Sequence, residues 1–132
     1  MRVTLETLKL VRDFRGWVFE PIGGDVLAAQ RNAHVVWTEP GQIRGNHLHR
    51  LGSEVLVVLG PALVRIREDS EVKDYHVPDS VVCRFVIPPG VAHAVQNTGS
   101  APGLLVGFNT QDHDPKRPDT EPVLLIEPVP NA

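Results

Sequence analysis

The chain has 132 residues and suits a single domain spanning 1–132; a chain of this size buries roughly two-thirds of its unfolded surface, enough for a core without staples. Lys and Arg total 13 against 16 Asp and Glu, and the net charge of -3 argues against a nucleic-acid surface, which needs a basic excess. The single cysteine, Cys83, excludes an internal disulfide, and no apolar run approaches the roughly 20 residues of a membrane span.

The N-terminus lacks the apolar stretch of a signal peptide, so the expectation is a cytoplasmic protein without nucleic-acid or membrane partners. Residues 1–12 alternate apolar with charged or polar side chains, the pattern of a half-buried strand. Residues 16–21 read as a second short strand, stopped by Pro21 and the Gly23-Gly24 pair, and residues 25–31 as a helical turn or a loop. Residues 32–38 form a strand turned by Glu39-Pro40-Gly41, and 43–50 another. Residues 54–59 are almost continuously apolar, as for a strand covered on both faces. Gly60-Pro61 turns the chain into the strand 62–67, which carries Arg65 and Arg67. Glu68-Asp69-Ser70 makes a hairpin tip, and the strand 71–77 returns with Tyr75 and His76. Strands 81–87, 92–97 and 104–108 follow, with Pro88-Pro89-Gly90 as a tight turn, and 122–126 is a short edge segment. Cys83 lies in a strand with nothing nearby to activate it, and reads as a small core residue. Many short strands, and 12 prolines placed at turns, predict an all-β barrel or sandwich.

The chemistry concentrates in Gly41-Gln42-Ile43-Arg44-Gly45-Asn46-His47-Leu48-His49-Arg50 and its continuation to Glu54 and Gly60. On a strand, His47 and His49 share a face, roughly 6–7 Å apart, and can lean toward one ion. Glu54 can supply an oxygen from the next strand and His93 a further nitrogen. Three His and one Glu make a ligand set for zinc, the leading candidate, or for manganese, iron or nickel.

These residues resemble the two signature motifs of the cupin superfamily. Gly41, His47, His49 and Glu54 fall in register with G-x5-H-x-H-x3-4-E-x6-G, and Gly60 arrives one residue early. Pro88, Gly90, His93 and Asn97 match G-x5-P-x-G-x2-H-x3-N, with Val82 where the leading glycine would stand. The metal motifs thus span 41–60 and 88–97. The resemblance implies a double-stranded β-helix, a jelly-roll cupin barrel with the metal inside one open end.

The segment Arg44-Gly45-Asn46-His47-Leu48-His49-Arg50 is similar to the cupins acting on nucleotide-linked 4-keto sugars: 3,4-ketoisomerases and dehydrorhamnose 3,5-epimerases. Asp114-Pro115-Lys116-Arg117-Pro118-Asp119-Thr120, otherwise a polar Pro-rich loop, resembles a run in the C-terminal cupin domain of the bifunctional capsular-polysaccharide epimerase/reductase. That likeness covers roughly residues 31–122. In that family the cupin domain epimerises a UDP-linked 4-keto deoxy sugar and a separate domain reduces it with NADPH; this chain has no Gly-rich dinucleotide fold.

The resemblance therefore implies a metal-dependent nucleotide-sugar epimerase or keto-isomerase. Arg44 and Asn46, and Arg65 with Arg67 if their shared face is the inner one, are the expected substrate-binding residues. Tyr75 and His76 are the candidates for base and acid, although neighbours on a strand face opposite ways without a bulge. His34 and His113 lie outside the motifs and read as surface or packing residues. Trp17 and Trp37 read as core or dimer contacts. Cupins also include iron or nickel oxygenases and non-catalytic sugar-binding barrels. Residues 1–12 offer an edge through which a homodimer would form.

Overall fold

Prolines and β-branched residues at this density prevent long helices and favour a pleated, half-buried backbone. The computed structural model describes residues 2–130, so Met1, the start of the expected first strand, and residues 131–132 lie outside the described residues. The strands are β1 (Thr4–Thr7), β2 (Val11–Asp13), β3 (Gly16–Val18), β4 (Asn32–Thr38), β5 (Ile43–His49) and β6 (Glu54–Leu59). They continue with β7 (Ala62–Glu68), β8 (Glu71–Val77), β9 (Val82–Ile87), β10 (Ala92–Asn97), β11 (Gly103–Asn109) and β12 (Thr120–Pro122). One short helix, α1 (Gly24–Ala28), precedes β4. No helix of the described residues is long and apolar enough to cross a membrane.

One five-stranded sheet runs β1-β9-β6-β11-β4 and the other β12-β5-β10-β7-β8, with β2-β3 as a separate hairpin. Every pairing is antiparallel, and the two sheets make the jelly roll that the motifs implied. The core lies between them: Leu56, Val58, Phe85, Ile87 and Leu105 from one sheet meet Val64, Ile66, Val77 and Val95 from the other. A second cluster covers the outer face of the first sheet, where Leu8 and Ile22 pack with Val55, Val57, Val82 and Phe108. This explains the unbroken apolar run of β6: alternate side chains enter different cores, and residues 54–58 are all buried. Cys83 is a buried thiol in the first core.

Two expected elements are corrected. Residues 1–12 are not one strand: β1 stops at Thr7, the Leu8 amide bonds to the Val82 carbonyl at 2.8 Å, and Leu8 turns into the second cluster. The edge segment expected at 122–126 lies earlier, at Thr120–Pro122. Pro122 has no N–H to continue a ladder, and the amides of Val123, Leu125 and Ile126 bond instead to Asn46.

Candidate metal centre and cavity

The site begins with an irregularity in β5. Opposite β10, His93 pairs with His47 but Ala94 pairs with Gly45, so Asn46 is an extra residue and the strand bulges. Gly45 and Asn46 adopt φ of 85° and 57°, and a Cβ on Gly45 would lie 2.8 Å from the His93 carbonyl oxygen. Only glycine permits that conformation and that approach together. The bulge re-phases the strand, so Arg44, three residues before His47, lines the same cavity as His47 and His49.

That cavity, of about 530 Å³, lies between the sheets. Its walls are apolar at Val36, Leu56, Val95 and Leu105, and its polar groups include Arg44, His47, His49, Glu54 and His93. The structure brings the four expected ligands together: one ligand atom from each of His47, His49, Glu54 and His93 lies within 4.8 Å of the others. The rings of His47 and His49 are 5.0 Å apart and those of His47 and His93 4.9 Å. His93 and Glu54 are buried, and the other two are half-buried.

Burial drives the His47 imidazole down to about 4, and His93 beside it adds to the effect; Glu54 acts in the opposite sense. Burial lowers His49 as well, but the carboxylates of Glu54 and Asp119 outweigh it and its pKa is raised. Desolvation raises the Glu54 carboxyl, yet the contacts with His49 and His93 prevail and hold it well below the usual carboxylate range. A carboxylate and neutral imidazoles are the forms that ligate a cation.

The donor set fits a metal on a further observation. His49 Nε2 lies 2.6 Å and His93 Nε2 3.3 Å from Glu54 oxygens, yet neither ring nitrogen makes a well-aligned hydrogen bond, and both are buried. Buried polar atoms without partners are rare in native proteins, and a shared cation would satisfy both. His93 Nδ1 lies 3.1 Å from the Val91 carbonyl; donation there leaves Nε2 with a free lone pair. Asp119 Oδ2 lies 3.6 Å from His49 Nδ1, on the side of the ring away from Glu54. The same carboxylate accepts from the Leu51 and Gly52 amides at 2.9 Å each. Asp119 escaped the sequence reading because it reads as a turn residue and is 70 positions from His49; only the likeness of its run to a capsular cupin pointed to it.

Several expected residues lie elsewhere. Asn46 does not face the cavity: the bulge turns it outward, where Oδ1 accepts from the Leu125 and Ile126 amides and Nδ2 donates to the Ile126 carbonyl. Arg65 and Arg67 project from the outer face of β7, because Val64 and Ile66 are the fully buried residues on the inner one. Arg65 is paired with Asp74 at 2.7 Å and donates to the Leu125 carbonyl. Tyr75 packs on Phe85 with ring centroids 5.8 Å apart, His76 is exposed on β8, and neither lines the cavity, so both are corrected as candidate base and acid. Arg44 does line it, donating to the Trp37 carbonyl at 2.6 Å and the Thr38 hydroxyl at 3.4 Å. His34 and His113, set aside as surface or packing residues, also line the cavity.

Comparison with known proteins gives a consistent picture. The family model described as the polysaccharide biosynthesis C-terminal domain matches residues 11–121. The spore coat polysaccharide biosynthesis protein SpsL of Bacillus subtilis is 28% identical over 127 residues, covering 89% of this chain and 84% of SpsL. The capsular polysaccharide assembling protein CapF of Staphylococcus aureus superposes with a TM-score of 0.67 at 26% identity. The match covers 89% of this chain but 33% of CapF, so the chain spans a third of that protein's length. QdtA, a sugar 3,4-ketoisomerase of Thermoanaerobacterium thermosaccharolyticum solved with TDP, has a TM-score of 0.67 at 22% identity, covering 90% of this chain and 86% of QdtA. At that identity the likeness establishes a common fold.

Proposed function

The chain belongs to the polysaccharide biosynthesis C-terminal domain family, and on that premise we propose that it is a metal-dependent isomerase of nucleotide-linked 4-keto deoxy sugars. The reaction is epimerisation or keto-isomerisation through an enolate formed beside the keto group. The observation that carries this reading is the presence, in one cavity, of a convergent His47–His49–Glu54–His93 set and of Arg44, whose hydrogen bonds among the described residues go to neutral acceptors. QdtA, with TDP bound and a common fold, supports a nucleoside diphosphate as the handle.

Arg44 holds the diphosphate. Among the described residues no carboxylate hydrogen-bonds to its guanidinium, so two parallel N–H bonds to phosphate oxygens would neutralise its charge. The apolar wall of Val36, Leu56, Val95 and Leu105 excludes water around the sugar and strengthens every charge interaction there. His47, His49, Glu54 and His93 would hold the cation, with zinc favoured by the nitrogen-rich set; when bound, it would supply positive charge beside the keto group. Among the described residues β1 pairs only with β9, and its other edge is where a second copy would pair to give a homodimer.

Zinc-loaded protein incubated in heavy water with a panel of UDP- and TDP-4-keto-6-deoxyhexoses is expected to introduce deuterium beside the keto group, read by mass spectrometry. Absence of exchange across the panel would overturn the isomerase reading.

A further inference from the structure

An enolising enzyme needs a group that takes the proton from carbon, and the expected pair, Tyr75 and His76, lies away from the cavity. Of the residues that do line it, His47, His49, Glu54 and His93 converge on one point. Arg44 presents N–H donors and no acceptor, and the hydroxyl of Thr120 is too weak a base. Two imidazoles remain, His34 and His113. An imidazole has a ring nitrogen that can take a proton from carbon and give it back.

We propose that His34 is the catalytic base, a role that rests on the isomerase reading above. His34 sits on β4, in the sheet opposite the one that carries His47, His49 and His93, so it reaches the cavity from the other wall. Its cross-strand partner is Gly107, and the ring lies over that bare backbone. A Cβ on Gly107 would be 3.3 Å from His34 Nε2 and 3.5 Å from Cδ2. Any side chain at 107 would press on the ring, so the glycine preserves the space that the imidazole occupies. Among the described residues no hydrogen bond or ion pair engages the ring, which leaves its lone pair available. His113 reaches the cavity from the loop after β11, whose neighbour Asp112 pairs with Arg31 at 3.1 Å. A strand fixes a reacting group more tightly than a loop, and this assigns proton abstraction to His34.

In the step itself, an imidazole nitrogen takes the proton from the carbon beside the keto group. The C–H bonding pair becomes the carbon–carbon double bond of the enolate, and the carbonyl π pair moves to oxygen. Reprotonation at carbon restores a ketone, so no oxidant or reductant is consumed.

The test compares wild type, His34→Gln and Gly107→Ala, all zinc-loaded, for deuterium wash-in from heavy water into the 4-keto sugar that the wild type turns over best. Metal content and TDP binding are measured in parallel. His34→Gln is expected to lose at least about 100-fold in exchange rate while keeping its metal and its affinity for TDP. Gly107→Ala is expected to fall between the two, again with normal metal content. Exchange by His34→Gln within threefold of wild type overturns the assignment, as does loss of metal or TDP binding along with exchange, which would mark a structural role. A wild type inert toward the whole panel overturns the isomerase reading and this role with it, whereas an active wild type and an active His34→Gln overturn this role alone.

Discussion

Asp119 joins two segments that meet only in the folded chain. Its oxygens accept from the Leu51 and Gly52 amides, fixing the turn between β5 and β6, and one of them faces His49 Nδ1 from 3.6 Å. A carboxylate behind a ligating histidine holds the ring's orientation and raises its basicity, and its removal typically costs about 10–100-fold in metal affinity. Asp119→Ala is expected to weaken zinc binding by about that factor, measured by chelator competition, and to lower stability by about 1–3 kcal/mol through the two unpaired amides. Unchanged zinc affinity would show that Asp119 acts on the turn alone. The convergence of His47, His49, Glu54 and His93 was legible because the four residues carry a fixed spacing in two short motifs. Asp119 and His34 have no such spacing: each acts across a contact between distant strands or loops, and turn chemistry or a lone histidine describes them equally well in one dimension.

In β5, the inserted residue decides which side chains share the cavity. A regular strand would send Arg44 and His47 to opposite faces; the Gly45-Asn46 bulge places both inward and turns Asn46 out to hold residues 125–126. Gly45→Ala meets the His93 carbonyl at 2.8 Å and keeps a positive φ, so β5 and β10 must separate where His47, His49 and His93 are mounted. It is expected to cost about 2–3 kcal/mol, combining αL strain with displaced packing, and to reduce metal binding. Gly41→Ala has φ of 79° with nothing within 4 Å of its Cβ, and is expected to cost only the backbone term, about 1–2 kcal/mol, with metal retained. Urea unfolding and zinc content of the two variants make the comparison. Most strands were legible because each is a short apolar or alternating run between turn residues. Which face of β7 carries Arg65 and Arg67 was not legible, because alternation alone does not say which side is inner; the burial of Val64 and Ile66 sets both outside. Nor does a one-dimensional pattern carry a bulge that shifts the parity partway along a strand, hence the misplacement of Asn46.

Across the whole molecule, two apolar clusters sandwich one sheet, while a polar, charge-bearing pocket interrupts the space between the sheets at one end. Glu54 is buried there among three imidazoles, an arrangement stable chiefly when a cation compensates it. Anything bound to the native state alone stabilises it, by about 2.7 kcal/mol when free ligand is at 100 times Kd. Calorimetry is therefore expected to show a lower Tm after chelation and recovery on adding zinc. The His47→Ala/His49→Ala double variant is expected to show no such difference and no bound metal by elemental analysis. Retention of metal by that variant would rule out the proposed ligands.

The last described stretch of chain also shields the strand that carries His47 and His49. β12 pairs with β5 from His47 to His49, and the amides of residues 123, 125 and 126 close on Asn46. Truncation before residue 120 would strip that ribbon of one neighbour and leave its backbone donors and acceptors open to another molecule. A nick in the loop at 110–119 would leave that pairing without its covalent tie, and is expected to loosen the candidate metal site and expose an open β edge. Fusions and affinity tags belong beyond residue 130, where the ribbon remains clasped on both sides.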